Sequence, residues 1–289
     1  MNSLHIQIFF KKMVDSYPLV RNPTLESIAK FFLSFGRESK LFPIIFLGSI
    51  FSNRILFGKS AVILFFVMIY NTLLKNIFKV RLNSHLGEGY SFPSGHMHGF
   101  GLFYGFLCVY SKNIAIKTIL FIIVIGIGTS LVYMRYHVPF DIIGASFFLI
   151  FELILENYLT KKYGDKKVVL MIFGVTIINI LGLIILKVKL LDHIWLSVYG
   201  MIGAIIGFFY IKINGRVNFL QECFSLIILV GLNVIVFKSW SYFKFKQSFL
   251  TQIPFLFAPL SISLSLILSS YVNLPNVYID NMKLSQNWF

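Results

Sequence analysis

Acidic residues are scarce in this chain, where 11 Asp and Glu stand against 26 Lys and Arg and only 13% of all residues are charged. Soluble domains carry about a quarter charged residues. The low charge, together with 57% hydrophobic residues and a mean hydropathy of +0.81, excludes an ordinary soluble domain. It indicates an integral protein with many membrane spans.

Cysteine is nearly absent as well, with two residues in 289. Cys108 and Cys223 both lie inside apolar runs, which favours packing roles over a disulfide. Cys and His do not occur together at metal-ligand spacings.

The net charge of +15 does not indicate nucleic-acid binding. The Lys and Arg residues form short clusters between apolar runs, and the positive-inside rule and anionic lipid headgroups explain such clusters. We therefore predict no nucleic-acid partner. The sequence identifies no protein partner.

Apolar segments of spanning length predict a bundle of nine membrane helices. They lie at 41–57, 60–79, 96–111, 115–134, 140–159, 168–187, 193–212, 219–238 and 250–272. An amphipathic helix over 24–35 precedes them, and its apolar residues share one face as in helices at a membrane surface. We divide the chain into an interfacial segment (1–40), a core of membrane helices (41–160) and a C-terminal transmembrane extension (161–289).

Basic loops orient the predicted spans. With nine spans, four loops share one side: those with Arg54 and Lys59, with Lys112 and Lys117, with Lys161, Lys162, Lys166 and Lys167, and with Lys212 and Arg216. The positive-inside rule makes that side cytoplasmic. The loops that contain His96 and His137 are then expected on the outer side, which in a bacterium is the periplasmic side of the inner membrane.

Polar residues that could take part in catalysis cluster at two predicted helix starts on that outer side. Residues 93–96 read Pro-Ser-Gly-His, with Ser94 as the N-cap, and Pro139 begins a second helix just after His137. Helix N-termini bind anions through their free N–H groups. Cations are expected at the same depth: Lys75, Lys79, Arg81 and Arg135. The pattern favours a phosphate site, although a helix-capping His96, an interfacial His137 and membrane-flanking lysines are the simpler alternatives.

The order of these residues resembles the type 2 phosphatidic acid phosphatase superfamily over roughly residues 24–160. The Pro-Ser-Gly-His motif is intact at 93–96, and a Ser-Arg-x5-His-x3-Asp motif is matched by Ser130, His137 and Asp141. The resemblance implies an all-α, haloperoxidase-like core that is extended here by extra C-terminal helices. The number of spans is similar to that of the glucose-6-phosphatase branch.

The resemblance also implies residue roles. His137 is expected to attack phosphorus, Asp141 to orient it, and His96 to protonate the leaving oxygen. Lys75, Arg81, Ser94 and Gly95 are expected to bind the phosphate oxygens; they are taken from the family's first two motifs. No metal or other cofactor is implied.

Two departures from the family pattern concern phosphate binding. Leu131 replaces the arginine that follows Ser130 in the family, and we expect Arg135, four residues later on the same helical face, to supply the missing guanidinium. Lys75 and Arg81 are separated by five residues instead of six, with Leu82 in place of proline, so Lys79 is an alternative ligand.

The function that we predict is metal-independent hydrolysis of a phosphomonoester or pyrophosphate, with a membrane lipid phosphate as the substrate. The reaction is expected to run through a phosphohistidine. Three alternatives stay open: a lipid phosphotransferase, a phosphatase of soluble sugar phosphates, and a degenerate protein that only binds lipid phosphate.

Overall fold

A computed structural model of the protein describes residues 22–82, 89–188, 190 and 192–210. This part of the chain is helical and contains one isolated bridge, between Arg81 and Tyr90, but no β-sheet. The helices are α1 (Pro23–Ser34), α2 (Glu38–Phe51), α3 (Arg54–Phe78), α4 (Gly95–Tyr110), α5 (Ile114–Tyr133), α6 (Pro139–Tyr163), α7 (Asp165–Ile185) and α8 (Asp192–Tyr210). The predicted all-α membrane bundle is confirmed.

Short polar side chains start four of the eight helices. Asn22, Asn53, Ser94 and Asn113 each accept a hydrogen bond from a backbone N–H in the first turn of the helix that follows. Such caps satisfy N–H groups that have no partner within the helix. The polar residues between apolar runs therefore set the helix boundaries.

Helix α3 is the centre of the bundle. It packs against α2, α4, α7 and α8, and Val62, Val67 and Ile69 on it are fully buried. On the other side of α4, α5 and α6 complete the bundle, and α1 packs along α5. The C-terminal end of α3 and the N-terminal ends of α4 and α6 lie together, and we call this end of the bundle the site side.

Helix α6 shows that the bundle is built for a membrane. Large apolar side chains that recur every three or four residues are at least half exposed: Ile143, Phe147, Ile150, Phe151 and Ile154. Asp141 and Glu156, by contrast, are buried. A helix with an apolar outer surface and buried carboxylates is suited to contact with the hydrocarbon of a membrane and not with water. Four helices, α3, α5, α6 and α7, are long and apolar enough to cross a bilayer, and the protein is an integral membrane protein.

Six of the predicted spans coincide with α3 to α8, while the segments 219–238 and 250–272 lie outside the described residues. The prediction of one span over 41–57 is wrong. Helix α2 ends at Phe51 and α3 begins at Arg54, because Ser52 leaves helical geometry and Asn53 caps the new helix. The three-part division of the chain stays a prediction.

Helices α1 and α2 follow one another through the bundle with a break between them. At the start of α1, the Asn22 carbonyl accepts a hydrogen bond from Tyr133 at the end of α5. At its end, the Phe35 carbonyl accepts one of 2.9 Å from Tyr104 in the interior of α4. Helix α2 then continues to the side opposite the site. The chain therefore leaves helical geometry at residues 35–37, inside the bundle.

A buried ionic cluster closes the side opposite the site. Lys59, whose side chain is 1% exposed, forms an ion pair with Glu156 and bonds of 2.6 Å with both Asp165 and Thr160. Tyr110 donates a further hydrogen bond to Glu156. The cluster joins α3, α4, α6 and α7, and Lys59 is thus a structural residue and not the loop cation that the sequence suggested.

Replacing Lys59 with Met should strongly lower the thermal midpoint of unfolding in detergent. The change leaves the buried Glu156 carboxylate without its cation, and removal of one partner from a buried pair costs about 3–5 kcal/mol. Adding Glu156→Gln to Lys59→Met should recover part of the loss. The control is Lys30→Met, since Lys30 pairs with Glu26 at the surface and is 62% exposed. Equal midpoints for the two single variants would contradict the structural role of the cluster.

Candidate active site

The start of α6 fixes the geometry of His137. Pro139 occupies the first turn of α6, and Asp141, which follows within that turn, is 1% exposed. Asp141 Oδ2 lies 3.1 Å from His137 Nδ1, and its Oδ1 accepts a hydrogen bond of 3.3 Å from the Ser91 hydroxyl. A carboxylate at Nδ1 keeps the proton there. The Nε2 lone pair of His137 is therefore left for chemistry.

A backbone hairpin brings Ser91 to this carboxylate. Leu82 N–H donates to the Gly89 carbonyl, and Ser91 N–H donates to the Val80 carbonyl. Three residues on, Ser94 N–H donates to the Asp141 carbonyl at 3.2 Å. The segment that leads into α4 is thus bonded directly to the first turn of α6.

The start of α4 is a tight corner beside a lysine. Ser94 is fully buried and caps the helix. A Cβ atom on Gly95 would lie 3.2 Å from Asn71 Oδ1 and 3.9 Å from Lys75 Nζ. A side chain at this position would press on Asn71, so glycine favours the close approach of α3, and the Lys75 ammonium lies at the N-terminus of α4. The two together form an anion-binding corner.

His96 projects from the first turn of α4 and is exposed. Its ring packs edge-on against Phe100, with ring centroids 5.5 Å apart. Lys75 Nζ lies beside the preceding residue, Gly95, and Ser94 N–H bonds the first turn of α6, whose Asp141 carboxylate holds His137. The two predicted catalytic histidines and Lys75 thus share one site.

A cavity of about 1150 Å³ opens beside His96. Four cations line it: Arg37, Lys75, Lys79 and Lys187. Its described lining contains no Asp or Glu. Such a lining suits an anion with several negative charges.

The remaining predicted phosphate ligands are placed differently. Arg81 pairs with Tyr90 through the backbone, and its side chain is exposed outside the cavity lining, whereas Lys79 belongs to that lining. Arg135 is not on a helical face, as the sequence argument assumed, because α5 ends at Tyr133 and Arg135 adopts a left-handed backbone with φ +57°. Leu131 is 1% exposed in the apolar core.

Three basic residues take this left-handed conformation, which favours glycine. Lys79 (φ +53°), Arg135 (φ +57°) and Lys187 (φ +53°) all follow helix ends on the site side. The conformation costs a non-glycine residue about 1 kcal/mol or more. Cations therefore occupy positions at which glycine would be more stable, and Lys79 and Lys187 line the cavity.

Sequence reasoning missed a buried polar chain behind the site. Asn71 Nδ2 lies 3.0 Å from His98 Nδ1 and 3.4 Å from the Pro93 carbonyl, and His98 Nε2 lies 3.0 Å from Glu152. Because the Asn71 amide donates to Nδ1, Nε2 of His98 carries the proton and donates to Glu152. The chain anchors the Pro-Ser-Gly-His segment to α3 and α6.

A signal for this chain was present in the sequence. Glu152 follows Asp141 by 11 residues, which is close to three helical turns, so both carboxylates share one face of α6. Glu152 bonds His98, and Glu156, one turn further along α6, bonds Lys59.

Metal-binding geometry is not found in the described ranges, where no three His, Cys, Asp or Glu side chains come together around a possible ion position.

Comparison with known proteins matches part of the chain to a family. Residues 77–165 match the family model described as the PAP2 superfamily. The match spans α4 to α6 with the hairpin before them, and it omits Lys75 and Arg37. No curated protein and no solved structure matches the chain. The superfamily implies a phosphatase-type activity on phosphoesters.

Replacing Glu152 with Leu should reduce phosphoester hydrolysis about tenfold and lower the thermal midpoint. The change leaves the buried His98 N–H without an acceptor, at a cost of about 1–3 kcal/mol, and loosens the segment that holds Ser94 and Gly95. Glu152→Gln keeps an acceptor and should restore most of the activity. The control is Ser146→Ala, whose hydroxyl bonds the Ile142 carbonyl of its own helix. Full activity in the Leu variant would refute the positioning role.

Replacing Lys79 with Gly should raise the thermal midpoint while lowering phosphoester hydrolysis about tenfold. Glycine relieves the left-handed strain, by about 1 kcal/mol, but removes a cation from the cavity. Lys79→Ala should lose the activity without the gain in stability. The two variants are compared by thermal unfolding and by phosphate release. A Gly variant as active as the wild type would show that Lys79 does not serve the substrate.

Proposed function

Residues 77–165 belong to the PAP2 superfamily, and on that basis we propose that the protein hydrolyses a lipid phosphate through a phosphohistidine on His137. The observation that carries this proposal is the contact between His137 Nδ1 and the buried Asp141 carboxylate at 3.1 Å. It leaves Nε2 as the only ring nitrogen of His137 with a free lone pair. An imidazole held in this way is an activated nucleophile.

The first chemical step transfers the phosphoryl group to the protein. His137 Nε2 forms a bond to phosphorus while the bond from phosphorus to the leaving oxygen breaks, and His96 gives that oxygen its proton. Asp141 stabilises the positive charge that develops on His137. The second step reverses the roles: water attacks phosphorus, His96 takes a proton from it, and the bond to His137 breaks.

Positive groups at the corner of α3 and α4 support binding of the phosphate. The backbone N–H groups that follow Ser94 and the Lys75 ammonium are placed to balance the charge of the phosphate oxygens. Lys79 is the second lysine that we assign, since it lines the cavity whereas Arg81 does not. Phosphate binding by Arg135 and Arg81, which do not line the cavity, stays a prediction from the sequence.

A lipid substrate agrees with the position of the site. His96 and His137 lie at the ends of membrane helices, at a depth that a headgroup reaches by lateral diffusion. The cavity lining also has apolar members, among them Met68, Phe100 and Val188. We propose that the site faces outward, because the opposite side carries Lys112, Lys117, Lys161 and Lys162, whereas the cations of the site side mostly line the cavity.

The test measures phosphate release from a panel of lipid phosphates by purified protein in detergent with EDTA. The wild type should release phosphate and His137→Ala should not, a loss of more than about 1000-fold for a missing nucleophile. Tyr136→Ala, at an exposed neighbouring position, is the control and should stay active. Release by His137→Ala would overturn the nucleophile, and phosphate appearing on an acceptor lipid instead of in water would indicate a transferase.

The role of His96 as general acid and base can be tested separately from the role of His137. With an aryl phosphate, whose leaving group needs no protonation, His96→Ala should still form the phosphoenzyme but hydrolyse it slowly. Radiolabelled phosphate should therefore accumulate on His137, as an acid-labile adduct, in a burst followed by slow turnover. No label on His96→Ala, with label trapped on the wild type, would assign His96 to another role.

A further inference from the structure

The cavity extends beyond the family domain to Arg37, in the break between α1 and α2. The adjacent Gly36 touches Phe100, since a Cβ atom there would lie 2.6 Å from the Phe100 ring, and that ring packs against His96. The backbone that precedes Arg37 is therefore separated from His96 by a single aromatic side chain. A long arginine side chain spans such a gap.

Arg37 follows a segment that is bonded to the interior of α4. The carbonyl of Phe35, two residues earlier, accepts a hydrogen bond from the hydroxyl of Tyr104, which lies nine residues into α4. A charge at membrane depth is expected to face a polar cavity or a partner. The cavity lies against Arg37.

The break between α1 and α2 lies beside the cavity, since Gly36 and Arg37 both line it. Residues 35–37 lack regular helical geometry, although Gly36 N–H and Arg37 N–H still bond the carbonyls of Leu33 and Ser34. Irregular backbone within a membrane is tolerated where it lines a water-filled space. The break turns Arg37 toward that space.

We propose that Arg37 forms a second anion subsite, which binds the distal phosphate of a diphosphate substrate while His137 attacks the other phosphate. The inference rests on the proposed function and names its substrate class. The reacting phosphate already has Lys75 and the start of α4, and the cavity beyond them carries cations without a described acid. Arginine is suited to this role because its planar guanidinium donates two parallel hydrogen bonds to one phosphate.

The catalytic test compares two substrates with one tail, farnesyl diphosphate and farnesyl monophosphate, in detergent. Arg37→Ala should lower kcat/KM for the diphosphate about 10- to 100-fold, which is the effect of one lost charged hydrogen bond, and change the monophosphate value less than about threefold. The kcat/KM of Arg37→Lys for the diphosphate should lie between that of the wild type and that of Arg37→Ala. Lys30→Ala, a cation on the exposed side of α1, should change neither. Equal losses on both substrates, or none on either, would overturn the subsite.

A binding test separates this inference from the proposed function. Calorimetry on the full chain compares methylenediphosphonate, which is not hydrolysed, with methylphosphonate. The wild type should bind the diphosphonate at least about tenfold more tightly, and Arg37→Ala should lose that preference. If the wild type shows no preference, the subsite is refuted even when hydrolysis occurs. If the preference depends on Arg37 but nothing is hydrolysed, the subsite stands and the hydrolase assignment fails.

Free and lipid diphosphates are distinguished in the same assay. Turnover of farnesyl diphosphate with little turnover of inorganic pyrophosphate identifies a lipid diphosphate as the substrate, and the reverse identifies the free anion. Either result retains the subsite provided that the rate on the favoured diphosphate depends on Arg37.

Discussion

One face of α6 carries three inward-facing carboxylates, and the bundle is arranged so that each of them meets a partner. Asp141 holds His137 and Ser91, Glu152 holds His98, and Glu156 holds Lys59. An unpartnered carboxylate at these depths would be strongly unfavourable. The partners come from α3, α4 and the loop before α6, so the pairing fixes how these elements sit around α6 and thereby how the site is assembled.

This arrangement explains how a membrane protein holds a polar site rigidly. Apolar contacts alone tolerate sliding and rotation of helices in lipid, because the lipid tails are as apolar as the side chains. Hydrogen bonds between buried groups do not tolerate it, since a small displacement leaves a donor or acceptor unpaired. The Asn71–His98–Glu152 chain and the Lys59 cluster therefore set the register of α4 and α3 against α6.

Most of the helices could be predicted from the sequence, because the polar breaks between apolar runs coincide with helix caps such as Ser94 and Asn113. The failures have physical causes. The segment 41–57 contains only a short polar break, Ser52-Asn53-Arg54, between apolar flanks, so a hydropathy average over the whole segment did not reveal the boundary. Arg135 was placed on a helical face because periodicity does not show where α5 stops.

The sequence by itself determined the membrane class, the helix starts and the residues most suited to phosphoryl transfer, because composition, caps and short motifs are local properties. Only the tertiary structure decided which polar groups meet. Lys59 is separated from Glu156 by 97 residues of sequence and His98 from Glu152 by 54, and Arg37 reaches the cavity from outside the family domain. Such partners are chosen by packing across the bundle, which no local pattern records.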